Sequence, residues 1–169
     1  MIMTTPTSLA RLIVAASLAA LAAAYLSQYV GGLEPCPLCL LQRIPYGLTI
    51  FLGLAALLLI RRGRSPVMLI AVIGGIFALN AAIAFYHVGI EQDWFDTLAA
   101  CLGGGESPGT IEDLRAMLLD QPPPPPCDVV PWSLFGVSMA GYNMLYAGTM
   151  AGISLIGAAR IHANTKAKT

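Results

Sequence analysis

Four long stretches of this chain carry no charged side chain, and they dictate what it can fold into. Arg11 to Glu34 encloses residues 12–33, Arg43 to Arg61 encloses 44–60, Arg64 to Glu91 encloses 65–90, and Asp128 to Arg160 encloses 129–159. A helix needs roughly 20 apolar residues to cross the hydrocarbon core of a bilayer. Each gap has room for one crossing. Only 11% of the residues are charged and 57% are hydrophobic, whereas soluble domains carry about 25% charged residues. The sequence therefore predicts an all-α integral membrane protein, a four-helix bundle in one domain spanning 1–169. The spans are expected at about 12–30, 39–60, 66–87 and 133–158. The second gap is the tightest, so its helix is drawn back through "CLLQR".

Lysine and arginine orient the spans. Arg11, Arg61, Arg62, Arg64, Arg160, Lys166 and Lys168 fall on one side, and Arg43 and Arg115 on the other. All nine acidic residues, Glu34 to Asp128, lie on that second side. Segments 1–11, 61–65 and 159–169 are thus expected to be cytoplasmic, and loops 31–38 and 88–132 to face outward. An alternative for the first span is a cleaved signal peptide, since "RLIVAASLAALAAAYLSQ" has a basic start and A-x-A triplets.

The long outer loop contains "TIEDLRAMLL", the pattern of a short amphipathic helix capped by Thr110, with Ile111, Leu114, Met117 and Leu118 on one face. It either packs on the bundle or lies among the headgroups. "PPPPP" at 122–126 is expected to be an extended polyproline II spacer ending at Cys127. Gly74, Ala78 and Ala82 in span three, with Gly148 and Gly152 in span four, have the spacing of close helix contacts. Asn80 and Asn143 are polar within spans, which suits interhelical hydrogen bonds.

Chemistry resides in the four cysteines, Cys36, Cys39, Cys101 and Cys127, all at or beyond the outer membrane edge. In a bacterium that side is oxidising, so disulfides persist there. Bonds Cys36–Cys39 and Cys101–Cys127 are expected. The second closes a long loop, and one reading of it is a plain staple worth about 3 kcal/mol. The first closes almost nothing, and short Cys-x-x-Cys bonds are more often redox-active. Zinc is the competing use of four cysteines; the single Cys-x-x-Cys and the oxidising side argue against it, and no metal is expected. Haem attachment needs His after the pair, and Leu40 stands there.

A helix beginning near Cys39 would put its thiol at the positive end of the dipole, with Arg43 four residues on along the same face, and both favour the thiolate. Pro45 complicates that alignment. A reactive dithiol at the membrane edge needs an electron acceptor, and a lipid-soluble quinone is in reach, with Arg43 placed to stabilise its developing anion.

"PCPLCLLQRIPY", "AFYHVGIE", a cysteine in the long outer loop and "CDVVPWSLFGVSMAGYN" together resemble the disulfide bond formation protein B (DsbB) family over nearly the whole chain. The resemblance implies an enzyme of the bacterial inner membrane, a thiol:quinone oxidoreductase. It would reoxidise a periplasmic thioredoxin-fold oxidase of the DsbA type and pass the electrons to ubiquinone or menaquinone. It implies that Cys101 forms the mixed disulfide with that partner, that Cys127 exchanges with Cys36, that Cys39 is the quinone-side cysteine, and that Arg43 and His87 lie at the quinone. A partner poised near −120 mV requires a labile Cys101–Cys127 bond, and "GGG" at 103–105 suits a loop that must move. Partners would be the oxidase, the quinone pool and the bilayer, with no nucleic acid.

Competing readings are a vitamin K epoxide reductase-like enzyme, whose Cys-x-x-Cys follows the loop pair instead of preceding it, and a membrane scaffold with two structural disulfides. A transporter fits less well, because the spans hold no charged residue to mark an ion path.

Overall fold

The computed structural model describes residues 5–96 and 125–167. Cys101, the 103–105 glycines, the 110–119 segment and Pro122 to Pro124 lie outside the described residues. Among the described residues, four helical segments are long and apolar enough to cross a membrane: Pro6–Tyr29, Pro37–Arg61, Val67–Glu91 and Met139–Lys166.

The first helix, α1 (Pro6–Tyr29), starts earlier than the charge pattern suggests. Thr5 caps it by accepting from the Ser8 amide at 3.2 Å, and Pro6 takes the first turn, where a missing N–H costs nothing. Arg11 thus sits inside the helix: a charge marks the hydrocarbon edge, not the helix end.

The second span is two pieces, α2 (Pro37–Leu41) and α3 (Arg43–Arg61), separated by Gln42. Pro45 lies in the first turn of α3, where amides have no intrahelical partner. It therefore restarts the helix and does not kink it. Helix α4 (Val67–Glu91) runs beyond the residue 87 boundary because no breaker intervenes before Gln92.

Residues 133–138, expected to open span four, instead form an antiparallel hairpin of β1 (Ser133–Leu134) and β2 (Val137–Ser138). Phe135 and Gly136 both take positive φ, 52° and 77°. That is the two-residue turn whose twist matches paired strands. Ser138 then caps α5 (Met139–Lys166) by accepting from the Gly141 amide.

Helices α4 and α5 make the most extensive pairing, and α1 packs on α3. Leu9, Ile13, Tyr46, Ile70, Ile73, Phe77 and Met150 form the core. A buried hydrogen bond of 2.8 Å joins Ser17 of α1 to Thr49 of α3. Large apolar side chains such as Phe51, Met68 and Leu79 point outward along the spans, as lipid-facing residues do.

Of the small residues singled out, only Gly74 lies at a close contact: a Cβ there would come within 2.7 Å of Leu155. Ala78, Ala82 and Gly148 face outward and Gly152 is half-buried, with open space where the Cβ of either glycine would be. A second close approach between spans is at Gly157, where a Cβ would meet Leu9 at 2.3 Å.

Candidate active site

The site is built where the loop after α1 delivers Cys36 to the start of α2. Cys36 is the N-cap residue: its sulfur accepts from the Cys39 amide at 3.3 Å. That turn brings the two sulfurs to 3.0 Å, a thiol contact with the Cys36 S–H donating to Cys39. A disulfide of about 2.05 Å needs only a small closing movement. Cys36 is buried and Cys39 partly buried. Donating to Cys39, and then burial, push the Cys36 thiol up to about 12 from its ordinary 9.0. Cys36 is the proton holder of the pair, and its proton is shared toward Cys39.

His87, from the outer end of α4, places Nε2 3.6 Å from the Cys36 sulfur and 3.9 Å from Oε1 of Glu91 one turn further on. Both side chains are almost fully buried. Ser138, the cap of α5, donates to the other Glu91 oxygen. The Nδ1 of His87 faces Gln42 Nε2 at 3.1 Å. Behind Gln42, Asn143 donates to its Oε1 at 2.6 Å, and Tyr46 donates to Asn143 at 2.5 Å. Asn143 thus makes the interhelical bonds expected of it. Asn80, fully buried on α4, lies beside the Tyr46 phenol of α3, but its amide meets no partner at full hydrogen-bond geometry among the described residues.

Cys39 and Arg43 stand in successive helical segments, α2 and α3, and both border one cavity. Arg43 is held from α1. One guanidinium N–H donates to Gln28 Oε1 at 2.7 Å, and the group stacks over Tyr25, 4.8 Å from the ring centre. Tyr25 and Gln28 stand one turn apart and grip the arginine together. A guanidinium carries five N–H donors, so most of its hydrogen-bonding capacity lies beyond the bond to Gln28.

Cys36, Cys39, Arg43 and His87 all border a cavity of about 410 Å³, within the range of small-molecule sites. Alanines of α1, Tyr146, Pro125 and Pro126 also line it and make it largely apolar. Cys127 is fully buried in a cluster with Cys36, Leu38 and Ile90. Three of the four cysteines therefore gather at one end of the bundle.

Cys36, Cys39 and His87 also present three ligand atoms within 4.8 Å. Two thiolates on one tetrahedral zinc sit about 3.8 Å apart, from Zn–S bonds near 2.3 Å. The 3.0 Å separation here is that of a pair set to bond to each other.

Sequence reasoning missed Gln42, Glu91, Tyr46, Gln28 and Tyr25. Gln42 was visible as an amide in an apolar run, and Glu91 as a carboxylate one turn after His87. The partners of Arg43 carried no local signal.

A membrane helix bundle with a paired-cysteine centre beside an apolar cavity defines a membrane thiol–disulfide oxidoreductase. The sequence model for "Disulfide bond formation protein DsbB" matches residues 6–157. The chain belongs to the DsbB family, and it is a membrane enzyme of disulfide bond formation, a thiol:quinone oxidoreductase by that family's role. Among relatives, Disulfide bond formation protein B of Paracidovorax citrulli is 32% identical over 159 residues, 89% of this chain and 86% of its own. The Acidovorax sp. protein of the same name is 32% identical over 151 residues, 85% and 82% of the two chains. An uncharacterized protein, RP370 of Rickettsia prowazekii, is 28% identical over 131 residues, 76% and 74%. No solved structure matches.

Proposed function

We infer that the cavity beside Cys39 receives the headgroup of a membrane quinone, ubiquinone or menaquinone, and that the enzyme reoxidises a DsbA-type oxidase in the periplasm. The observation that carries this is the Cys36–Cys39 dithiol opening onto a largely apolar cavity that also presents the Arg43 guanidinium. The residues fit the group: apolar walls for a ring, a cation for an oxygen that gains charge, and a sulfur pair at the edge.

A bound quinone supplies a two-electron, two-proton acceptor. The chain's own part is to oxidise two thiols to one S–S bond, which releases two electrons and two protons. Cys39, the less buried residue of the pair, faces the acceptor. Cys36 keeps its proton until the bond closes. Arg43, fixed by Gln28 and Tyr25, stabilises negative charge on the acceptor without having to reorganise. Cys127, buried against Cys36, is the exchange partner that relays electrons from Cys101. Cys101 forms the mixed disulfide with the oxidase. The chain lies in the bacterial inner membrane with both termini cytoplasmic, as the arginine and lysine distribution favours. The cysteine end faces the periplasm.

The test is catalytic: purified protein, a reduced DsbA-type dithiol protein and a short-chain ubiquinone, mixed without oxygen. Loss of quinone absorbance that depends on both the enzyme and the dithiol protein supports the reading. Oxidation of the dithiol protein with no quinone consumed would refute it.

A further inference from the structure

The polar side chains behind the dithiol form one directed chain that crosses three helices. Tyr46 of α3 donates to Asn143 Oδ1 of α5 at 2.5 Å. Asn143 Nδ2 donates to Gln42 Oε1 at 2.6 Å. Gln42 Nε2 then meets Nδ1 of His87 on α4 at 3.1 Å. A primary amide offers an acceptor at one end and a donor at the other. Two amides in series therefore transmit direction. With Asn143 Oδ1 taken by the phenol and Gln42 Oε1 taken by Asn143, Gln42 turns an N–H toward the ring. An N–H can be satisfied at Nδ1 only by a lone pair, so the ring proton belongs on Nε2.

That nitrogen is the one aimed at chemistry. It lies 3.6 Å from the Cys36 sulfur and 3.9 Å from Glu91 Oε1, and Ser138 donates to the second Glu91 oxygen. The Cys36 sulfur and the Glu91 carboxylate are both acceptors for a proton held on Nε2, so they favour the same tautomer as Gln42 does.

We propose that Gln42, Asn143 and Tyr46 are positioning residues that hold His87 as its Nε2–H tautomer, so that the ring donates a hydrogen bond to the Cys36 sulfur. Donation there favours negative charge on that sulfur, the charge it carries whenever it attacks or leaves in thiol–disulfide exchange. The other tautomer would face Cys36 with a lone pair and oppose it. The tautomer itself is a property of the resting protein; only its effect on exchange rests on the thiol oxidase reading.

The chain has two histidines, His87 and His162, so labelling full-length reduced protein with ¹⁵N-histidine in detergent gives a readable spectrum, assigned with His162→Gln. The expected result is a His87 ring with its proton on Nε2 and a bare Nδ1. Gln42→Glu sets a carboxylate oxygen against Nδ1 in place of an N–H. It should draw a proton to Nδ1 and slow exchange at Cys36 by about tenfold or more. A wild-type ring protonated on Nδ1 alone would overturn the proposal without any variant. So would a Gln42→Glu spectrum with Nδ1 still bare, or an exchange rate unchanged by that variant. If the spectra behave as stated but the protein never reduces quinone, the thiol oxidase reading fails and the tautomer assignment stands.

Discussion

The Cys36 sulfur lies 3.6 Å from Nε2 of His87, although 51 residues separate them in the chain. One comes from the cap of a five-residue helix and the other from the outer end of α4. That contact ties the redox pair to the bundle: the dithiol has a fixed polar neighbour on one side and the cavity on the other.

Replacing Cys39 with serine should abolish quinone reduction, because no S–S bond can then form at the cavity. Cys101→Ser should block electron transfer from the partner oxidase yet leave the Cys36–Cys39 pair able to cycle. Anaerobic quinone bleaching, started once with the reduced partner and once with a small dithiol, distinguishes the two variants.

Arg43→Met should raise the KM for quinone by roughly 10- to 100-fold, the equivalent of one charge-assisted hydrogen bond of about 1.5–3 kcal/mol. Arg43→Lys should recover only part of this. Lysine keeps the charge but loses the fork that bonds Gln28 while stacking on Tyr25. Steady-state kinetics at varied quinone concentration measure both.

Alkylation of the reduced protein should strike Cys39 before Cys36. A thiol pushed up holds its proton, so its thiolate appears only as pH rises through the raised value. With Cys36 near 12, its thiolate fraction at pH 8 is on the order of a thousandfold below that of an ordinary cysteine. Its reaction with iodoacetamide should keep accelerating well above pH 9. Peptide mass spectrometry across pH 7–11 follows both sites. A Cys36 rate that levels off near pH 9 would contradict the assignment.

Gly157→Ala should destabilise the bundle by about 1–2 kcal/mol. The added methyl would sit 2.3 Å from Leu9, which is only 1% exposed and has no room to retreat. Overpacking costs about 1–3 kcal/mol, offset in part by alanine's better helix propensity, about 1 kcal/mol. Gly148→Ala, which meets nothing within 4 Å, should be neutral or mildly stabilising. Thermal unfolding in detergent compares them.

The spans were legible because exclusion of charge from hydrocarbon is a local, one-dimensional property. The Cys-x-x-Cys pair was legible for the same reason: its geometry is set by one turn. The hairpin at 133–138 was hidden, because an uncharged strand pair and an uncharged helix start look alike in composition, and its Phe135–Gly136 turn lacks the usual Asn-Gly signature. The break at Gln42 was hidden because Pro45 can end, kink or begin a helix. The chain from Tyr46 to His87 brings together residues 42, 46, 87 and 143. Only packing of α3, α4 and α5 makes those amides neighbours, so no spacing rule could find it.

The central claim is that the Cys36–Cys39 dithiol itself reduces quinone. Its most direct test is a single turnover of the Cys101→Ser, Cys127→Ser double variant, fully reduced, cleared of reductant and mixed anaerobically with a slight excess of short-chain ubiquinone. The account predicts that one quinone is consumed per protein and that two thiols disappear together, with the new disulfide mapped to Cys36 and Cys39. Intact thiols and unchanged quinone absorbance in a folded protein would contradict it.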